Sequence, residues 1–159
     1  RAADASALII DLRGNGGGSP KAVALVSSYL FDDKPVHLND AVTRGWNRTE
    51  SIWTTPAPSD HRFGSTKPLF ILIDAKTFSA AEGFAYTLQA LGRATIVGEP
   101  SKGGAHGARG FKLDEHFLAM IPNRLTVNPV TRADWEKVGV KPDVRVEGAN
   151  ALAKALELI

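Results

Sequence analysis

The sequence predicts an α/β domain whose parallel strands carry functional loops at one edge, and three observations lead there. Residues 7–12, 68–74 and 94–97 are short, nearly unbroken apolar runs of strand length, as buried parallel strands are. Each run empties into a turn rich in glycine or small polar residues. The first two of those turns lead into helical patterns, so βα units alternate along the chain. In sheets of this kind ligands bind beyond the carboxyl ends of the strands.

Taken in order, residues 7–12 read as a strand covered on both faces, followed by Arg13-Gly-Asn-Gly-Gly-Gly18. Ser19 and Pro20 supply an N-cap and a first-turn proline for a helix running to about Leu30. Ala22, Val23, Val26 and Tyr29 predict its buried face. Residues 36–42 and 49–54 read as a hairpin joined around 45–48, and 56–66 as a proline-rich surface connection. Asn47-Arg-Thr49 matches a glycosylation sequon, a three-residue pattern that is common by chance. After the strand at 68–74, a helix spans Ser79 to Leu91 and ends at Gly92. A strand at 94–97 and a glycine-rich loop at 99–109 follow. Residues 110–113 and 116–121 read as a second hairpin turned at Asp114-Glu115, 124–130 as a further strand, and 149–159 as an amphipathic terminal helix.

Composition narrows the function classes. A length of 159 residues fits one domain with a sizeable core, and 43% hydrophobic against 23% charged residues argues against disorder. The net charge of +2 is small and the basic residues are scattered, which argues against nucleic acid. No apolar stretch reaches the roughly 18 residues of a membrane span. Without cysteine there are no disulfides, thiolate metal sites or cysteine nucleophiles, and the four histidines show no metal-binding spacing. No cofactor is expected.

Several residues are candidates for chemistry. The 13–19 turn can be read as a phosphate loop, as a row of amides forming an oxyanion hole, or as a tight turn needing positive φ. Ser79-x-x-Glu82 is a capping-box pattern, and a cap alone explains both residues; the second reading makes Ser79, at a strand-to-helix turn, a nucleophile with the Ala80 amide as oxyanion donor. His106 in its glycine-rich loop is either a base or a solvated loop residue. Glu136, beside Trp135, has no role that pattern alone assigns.

Four motifs occur in order: Asp11-Leu-Arg-Gly-Asn-Gly-Gly-Gly18, Phe78-Ser-Ala-Ala-Glu82, Leu88-Gln-Ala-Leu-Gly-Arg-Ala-Thr-Ile-Val-Gly-Glu99 and Trp135-Glu-x-x-Gly-Val-x-Pro-Asp143. Over nearly its whole length the chain resembles the catalytic domain of the C-terminal processing (tail-specific) serine proteases. Within them it is most similar to the branch holding the tricorn core and the interphotoreceptor retinoid-binding protein modules. The resemblance implies a crotonase/ClpP-like sheet with peripheral β hairpins, Ser79 as nucleophile, and oxyanion amides from Ala80 and the Gly17–Gly18 turn. It implies a peptide or protein substrate, cleaved through an acyl-enzyme, and a periplasmic or secreted location.

The processing branch carries a base lysine about 25 residues after the serine, where this chain has Gly104, with Lys102 two residues early. The tricorn-like branch instead implies a supporting glutamate at Glu136 and a histidine upstream of the Asp-Leu-Arg strand. On that resemblance the chain is a fragment lacking an N-terminal helical region, and His106 replaces the base only if its loop folds over Ser79. Two alternatives stand beside the peptidase: a non-catalytic module for retinoid- or fatty-acid-like ligands, and crotonase-type thioester chemistry.

Overall fold

The computed structural model describes residues 2–45 and 48–159. In chain order its elements are β1 (Leu8–Asp11), α1 (Pro20–Ser28), β2 (His37–Thr43), β3 (Arg48–Trp53), β4 (Leu69–Ile73), α2 (Ala80–Ala90), β5 (Thr95–Gly98), β6 (Gly107–Lys112), β7 (Leu118–Val127), β8 (Val144–Arg145) and α3 (Ala151–Glu157). Among the described residues the strands form two sheets. One is parallel, in the order β1-β4-β5-β8, and the other antiparallel, in the order β3-β2-β7-β6. The two expected hairpins thus join, through β2 and β7, into a single sheet. Asn47 of the sequon lies outside the described residues.

β4 shows why the parallel sheet is the core. All five of its residues are buried, and they alternate between two apolar layers. Leu69, Ile71 and Ile73 pack with Phe84, Leu88 and Ile96 on one face, while Phe70 and Leu72 meet Val97, Ala151 and Ala155 on the other. At about 1.5–3 kcal/mol per fully buried aliphatic side chain, this strand anchors the sheet. β1 departs from expectation: among the described residues it is the sheet's edge and pairs only with β4, and Leu8 to Ile10 are half-buried rather than covered on both faces.

α2 buries Ala81, Phe84, Ala85 and Leu88, the spacing of one helical face. It ends in a Schellman turn, with Gly92 at φ 64 donating to Gln89 at 2.9 Å and Arg93 to Leu88 at 2.8 Å. α1 starts as read, with extended Ser19 and then Pro20, but its expected face is corrected. Val23 is half-buried, whereas Ala22, Val26 and Tyr29 are exposed and the helix buries Ser27 and Ser28 instead. The Ser28 hydroxyl donates to the Ala24 carbonyl at 2.7 Å and accepts the Thr55 N–H at 2.9 Å, which makes its burial tolerable. The second hairpin is longer than expected, since β7 runs unbroken through Pro122 and the separate strand at 124–130 does not form.

Candidate active site

Three loops meet at the carboxyl edge of the parallel sheet, tied together by their own polar groups. The Asp74 carboxylate, just past β4, accepts the Gly14, Lys76 and Thr77 amides at 3.0, 2.9 and 3.0 Å. Burial opposes ionisation of Asp74, but these amides outweigh it and hold the carboxyl below its ordinary range. The Asn15 carbonyl accepts the Phe78 N–H at 3.0 Å, and the Thr77 carbonyl accepts that of Lys102 at 3.0 Å. Loops 12–19, 74–79 and 99–106 therefore form one hydrogen-bonded unit.

Ser79 stands at its centre, directly before α2, with φ 56 and ψ −122. A non-glycine residue there is strained by roughly 1–3 kcal/mol and persists only if its surroundings hold it. The Glu82 carboxylate accepts the Ser79 N–H at 2.6 Å, the reciprocal half of a capping box. Gly17, at φ 106, lies against this turn: a Cβ on it would stand 2.8 Å from Ser79 Cβ, 2.9 Å from the Phe78 carbonyl oxygen and 3.1 Å from Ala80 N. Only glycine permits that approach.

The amides around Ser79 differ in availability. The Gly17 N–H is engaged, donating to Asn15 Oδ1 at 2.9 Å. Ala80 is the first residue of α2, where an amide has no partner within its own helix. Among the described residues neither the Ala80 nor the Gly18 N–H donates to an acceptor. Both residues, with Ser79, line a cleft of about 110 Å³ walled by Val23, Leu38, Ala41, Ile52, Ala105 and Trp135. The buried Trp135 ring packs on Gly83 of α2, where a Cβ would come within 2.9 Å of it.

The far wall of the cleft is held by two glutamates. Glu82 accepts the Gly103 and Gly104 amides at 2.6 and 2.9 Å, and Glu136 accepts those of Ala105 and His106 at 2.8 and 3.1 Å. Glu136 is thus brought to the backbone of the wall. The His106 ring does not line the Ser79 cleft: its Nε2 lies 3.1 Å from Asp134 Oδ2, and it lines a separate cleft with Val42, Arg44 and Asn123. At Gly104 a Cβ would run into the Phe78 ring, so a lysine does not fit there without moving that ring. Lys102 Nζ lies 5.0 Å from the centroid of the same ring. Among the described residues lining the Ser79 cleft there is no histidine or lysine. Nor do the described residues include a group of three or more His, Asp or Glu that could hold a metal ion.

Sequence reasoning passed over Asn15 and Asp74, and took Glu82 only as a cap. The signal for Asn15 was present, since asparagine before glycines is the residue that accepts an N–H two positions on. Nothing local marked Glu82 as a partner of residues 101–104.

The model of peptidase family S41 matches residues 1–146. The chain is 32% identical over 145 residues to the chloroplastic carboxyl-terminal-processing peptidase 2 of Arabidopsis thaliana, covering 90% of this chain and 26% of that protein. It is 30% identical over 146 residues to the carboxy-terminal processing protease CtpA of Bacillus subtilis, covering 90% of this chain and 29% of that protein. The fold matches that of a photosystem II D1 C-terminal processing protease with a TM-score of 0.71 at 24% identity, over 90% of this chain and 35% of that one. The chain therefore spans a little over a quarter of the two curated relatives. Nothing in these comparisons supports a hydrophobic-ligand carrier. The described helices include none long and apolar enough to cross a membrane. The chain belongs to peptidase family S41, the family of the carboxyl-terminal processing proteases.

Proposed function

We propose that this domain cleaves peptide bonds through an acyl-enzyme on Ser79. The observation that carries the reading is the strained Ser79 backbone, φ 56, at the N-terminus of α2. Ser79 Oγ attacks the scissile carbonyl carbon, and the Gly18 and Ala80 amides receive the oxyanion that forms. The amine leaves with a proton, and water then releases the acyl group from Ser79. Gly17 serves by close approach rather than as a donor, because its N–H is held by Asn15. Glu136 supports the reaction by fixing the wall at Ala105 and His106.

The apolar cleft of about 110 Å³ suits a small or medium aliphatic side chain next to the scissile bond. The Ser79 proton passes to a general base, and among the described residues lining the cleft there is no histidine or lysine to take it. The test is a fluorophosphonate probe applied to the folded full-length protein. Label is expected on Ser79 and is expected to vanish in Ser79→Ala. Folded wild-type protein that stays unlabelled would refute the nucleophile assignment.

A further inference from the structure

We infer that Glu82 is a positioning residue whose carboxylate locks the Ser79 turn to the opposite wall of the cleft. The inference rests on the reading of Ser79 as nucleophile. Glu82 is completely buried, and four groups donate to it. Oε2 accepts the Ser79 N–H at 2.6 Å and the Gly104 N–H at 2.9 Å. Oε1 accepts the Ser101 hydroxyl and the Gly103 N–H, both at 2.6 Å. Burial of a carboxylate is costly unless its oxygens are satisfied, and here donors do that on both oxygens.

A capping box accounts for one of these four bonds, that from Ser79. The other three come from residues 101–104, and the next residue, Ala105, lines the Ser79 cleft. One oxygen atom is shared between the nucleophile's amide and the wall's amide, so neither segment shifts without the other. The bond to Glu82 fixes the peptide plane before Ser79, while the Gly83 N–H, donating to the Ser79 carbonyl at 3.0 Å, fixes the plane after it. Both planes are needed to hold φ 56. The Ser101 hydroxyl extends the restraint by accepting the Val140 N–H at 2.7 Å.

The test is Glu82→Gln in the full-length protein. Glutamine has one acceptor oxygen, and its NH₂ must face one of the two donor pairs. A hydroxyl can turn to accept and a backbone amide cannot, so the NH₂ settles on the Ser101–Gly103 side. The loop is then loosened while the oxygen stays under Ser79 and Gly104. Misplacement by an ångström costs on the order of 100-fold, so kcat for a peptide substrate and the fluorophosphonate labelling rate constant should fall about 10- to 100-fold. KM should stay within about three-fold, since the apolar cleft that binds the side chain is unchanged. The Ser79 and Gly104 amide proton resonances should move upfield together, having lost a charged acceptor. Ser101→Ala should lower kcat in the same direction by a smaller factor.

A merely structural Glu82 would reduce the amount of folded enzyme and leave the rate constant per folded molecule alone. Folded Glu82→Gln with wild-type kcat, or with unmoved Ser79 and Gly104 amides, overturns the inference. If Glu82→Gln does not fold, an unchanged kcat in Ser101→Ala overturns it. Wild-type protein that resists the probe refutes the nucleophile reading instead, and the amide resonances still decide whether Glu82 couples the two segments.

Discussion

Gly17→Ala is the sharpest probe of the close approach between the glycine turn and Ser79. The added methyl would lie 2.8 Å from Ser79 Cβ, the carbon that carries the proposed nucleophile, and 3.1 Å from the Ala80 nitrogen. Ordinary carbon–carbon contact is about 3.5–4.0 Å, so the two turns must separate by roughly 1 Å. None of the three atoms met is the free end of a side chain, so the backbone takes the whole movement. Separation draws the Gly18 and Ala80 amides apart, and loss of one oxyanion donor typically costs about 10²–10³ in kcat. Alanine at φ 106 adds about 1–3 kcal/mol of strain, which lowers the melting temperature as well. The control is Gly16→Ala in the same loop, where a Cβ meets nothing within 4 Å. Fluorophosphonate labelling of full-length protein should slow at least about 100-fold in Gly17→Ala and stay within about two-fold of wild type in Gly16→Ala. Folded Gly17→Ala that labels at the wild-type rate would refute the argument. Equal damage from both substitutions would show that the loop needs flexibility, not contact.

Two further predictions separate scaffold from chemistry. The buried Arg93 guanidinium donates to the Leu30, Lys67 and Gly64 carbonyls at 2.7, 3.0 and 2.7 Å, so Arg93→Met strands three acceptors. At roughly 1 kcal/mol or more each, urea unfolding should report a loss of about 3 kcal/mol or more with the labelling rate per folded molecule unchanged; a loss under about 1 kcal/mol would count against the clamp. In Asp74→Asn the amide oxygen can keep the four bonds that Oδ1 now accepts from Gly14, Lys76 and Thr77. The folded carboxyl titrates below its unfolded value of about 3.9, so the wild type's stability advantage is full above about pH 4 and shrinks as pH falls through the folded value. A difference between the two proteins that is flat or grows toward low pH would refute the amide cradle.

Three strands of the parallel sheet, β1, β4 and β5, were legible from their apolar runs, although β1 is a half-buried edge, and the loops were legible because turn residues end those runs; the two-residue β8 carries no such run and was missed. The misses have physical causes. Periodicity placed Ala22, Val26 and Tyr29 on the buried face of α1, but the helix turns Ser27 and Ser28 inward. No hydrophobic pattern can find a buried serine such as Ser28, whose hydroxyl is satisfied by the Ala24 carbonyl one turn back. The sequence reading ended one strand at 121 and began another at 124, but β7 runs on through Pro122, which sits where β7 pairs with β6, opposite Ala108, while β2 pairs β7 from Arg124 onward. Its missing N–H therefore costs no ladder bond on the β2 side. At the site, the Ser79 and Gly17–Gly18 motifs stood out, but the partners that hold them did not. Glu82 reaches across to residues 101–104, and Glu136 to Ala105 and His106, separations that no spacing rule covers.

The contrast between two serines in this chain supports the role proposed for Ser79. Ser19 and Ser79 each precede a helix, and either would satisfy an N-cap preference. Ser19 takes the extended backbone of a relaxed cap, φ −88 and ψ 126. Ser79 takes φ 56 and ψ −122, which capping does not require. If its task were only to start α2, the Ser19 conformation would do so without strain. The strained form survives because Glu82 holds the amide before it, Gly83 the carbonyl after it, and the Asn15 carbonyl the Phe78 N–H one residue earlier. That much restraint holds one small side chain on the lining of an apolar cleft, next to the Ala80 amide. The proposed nucleophile needs both, and a cap needs neither.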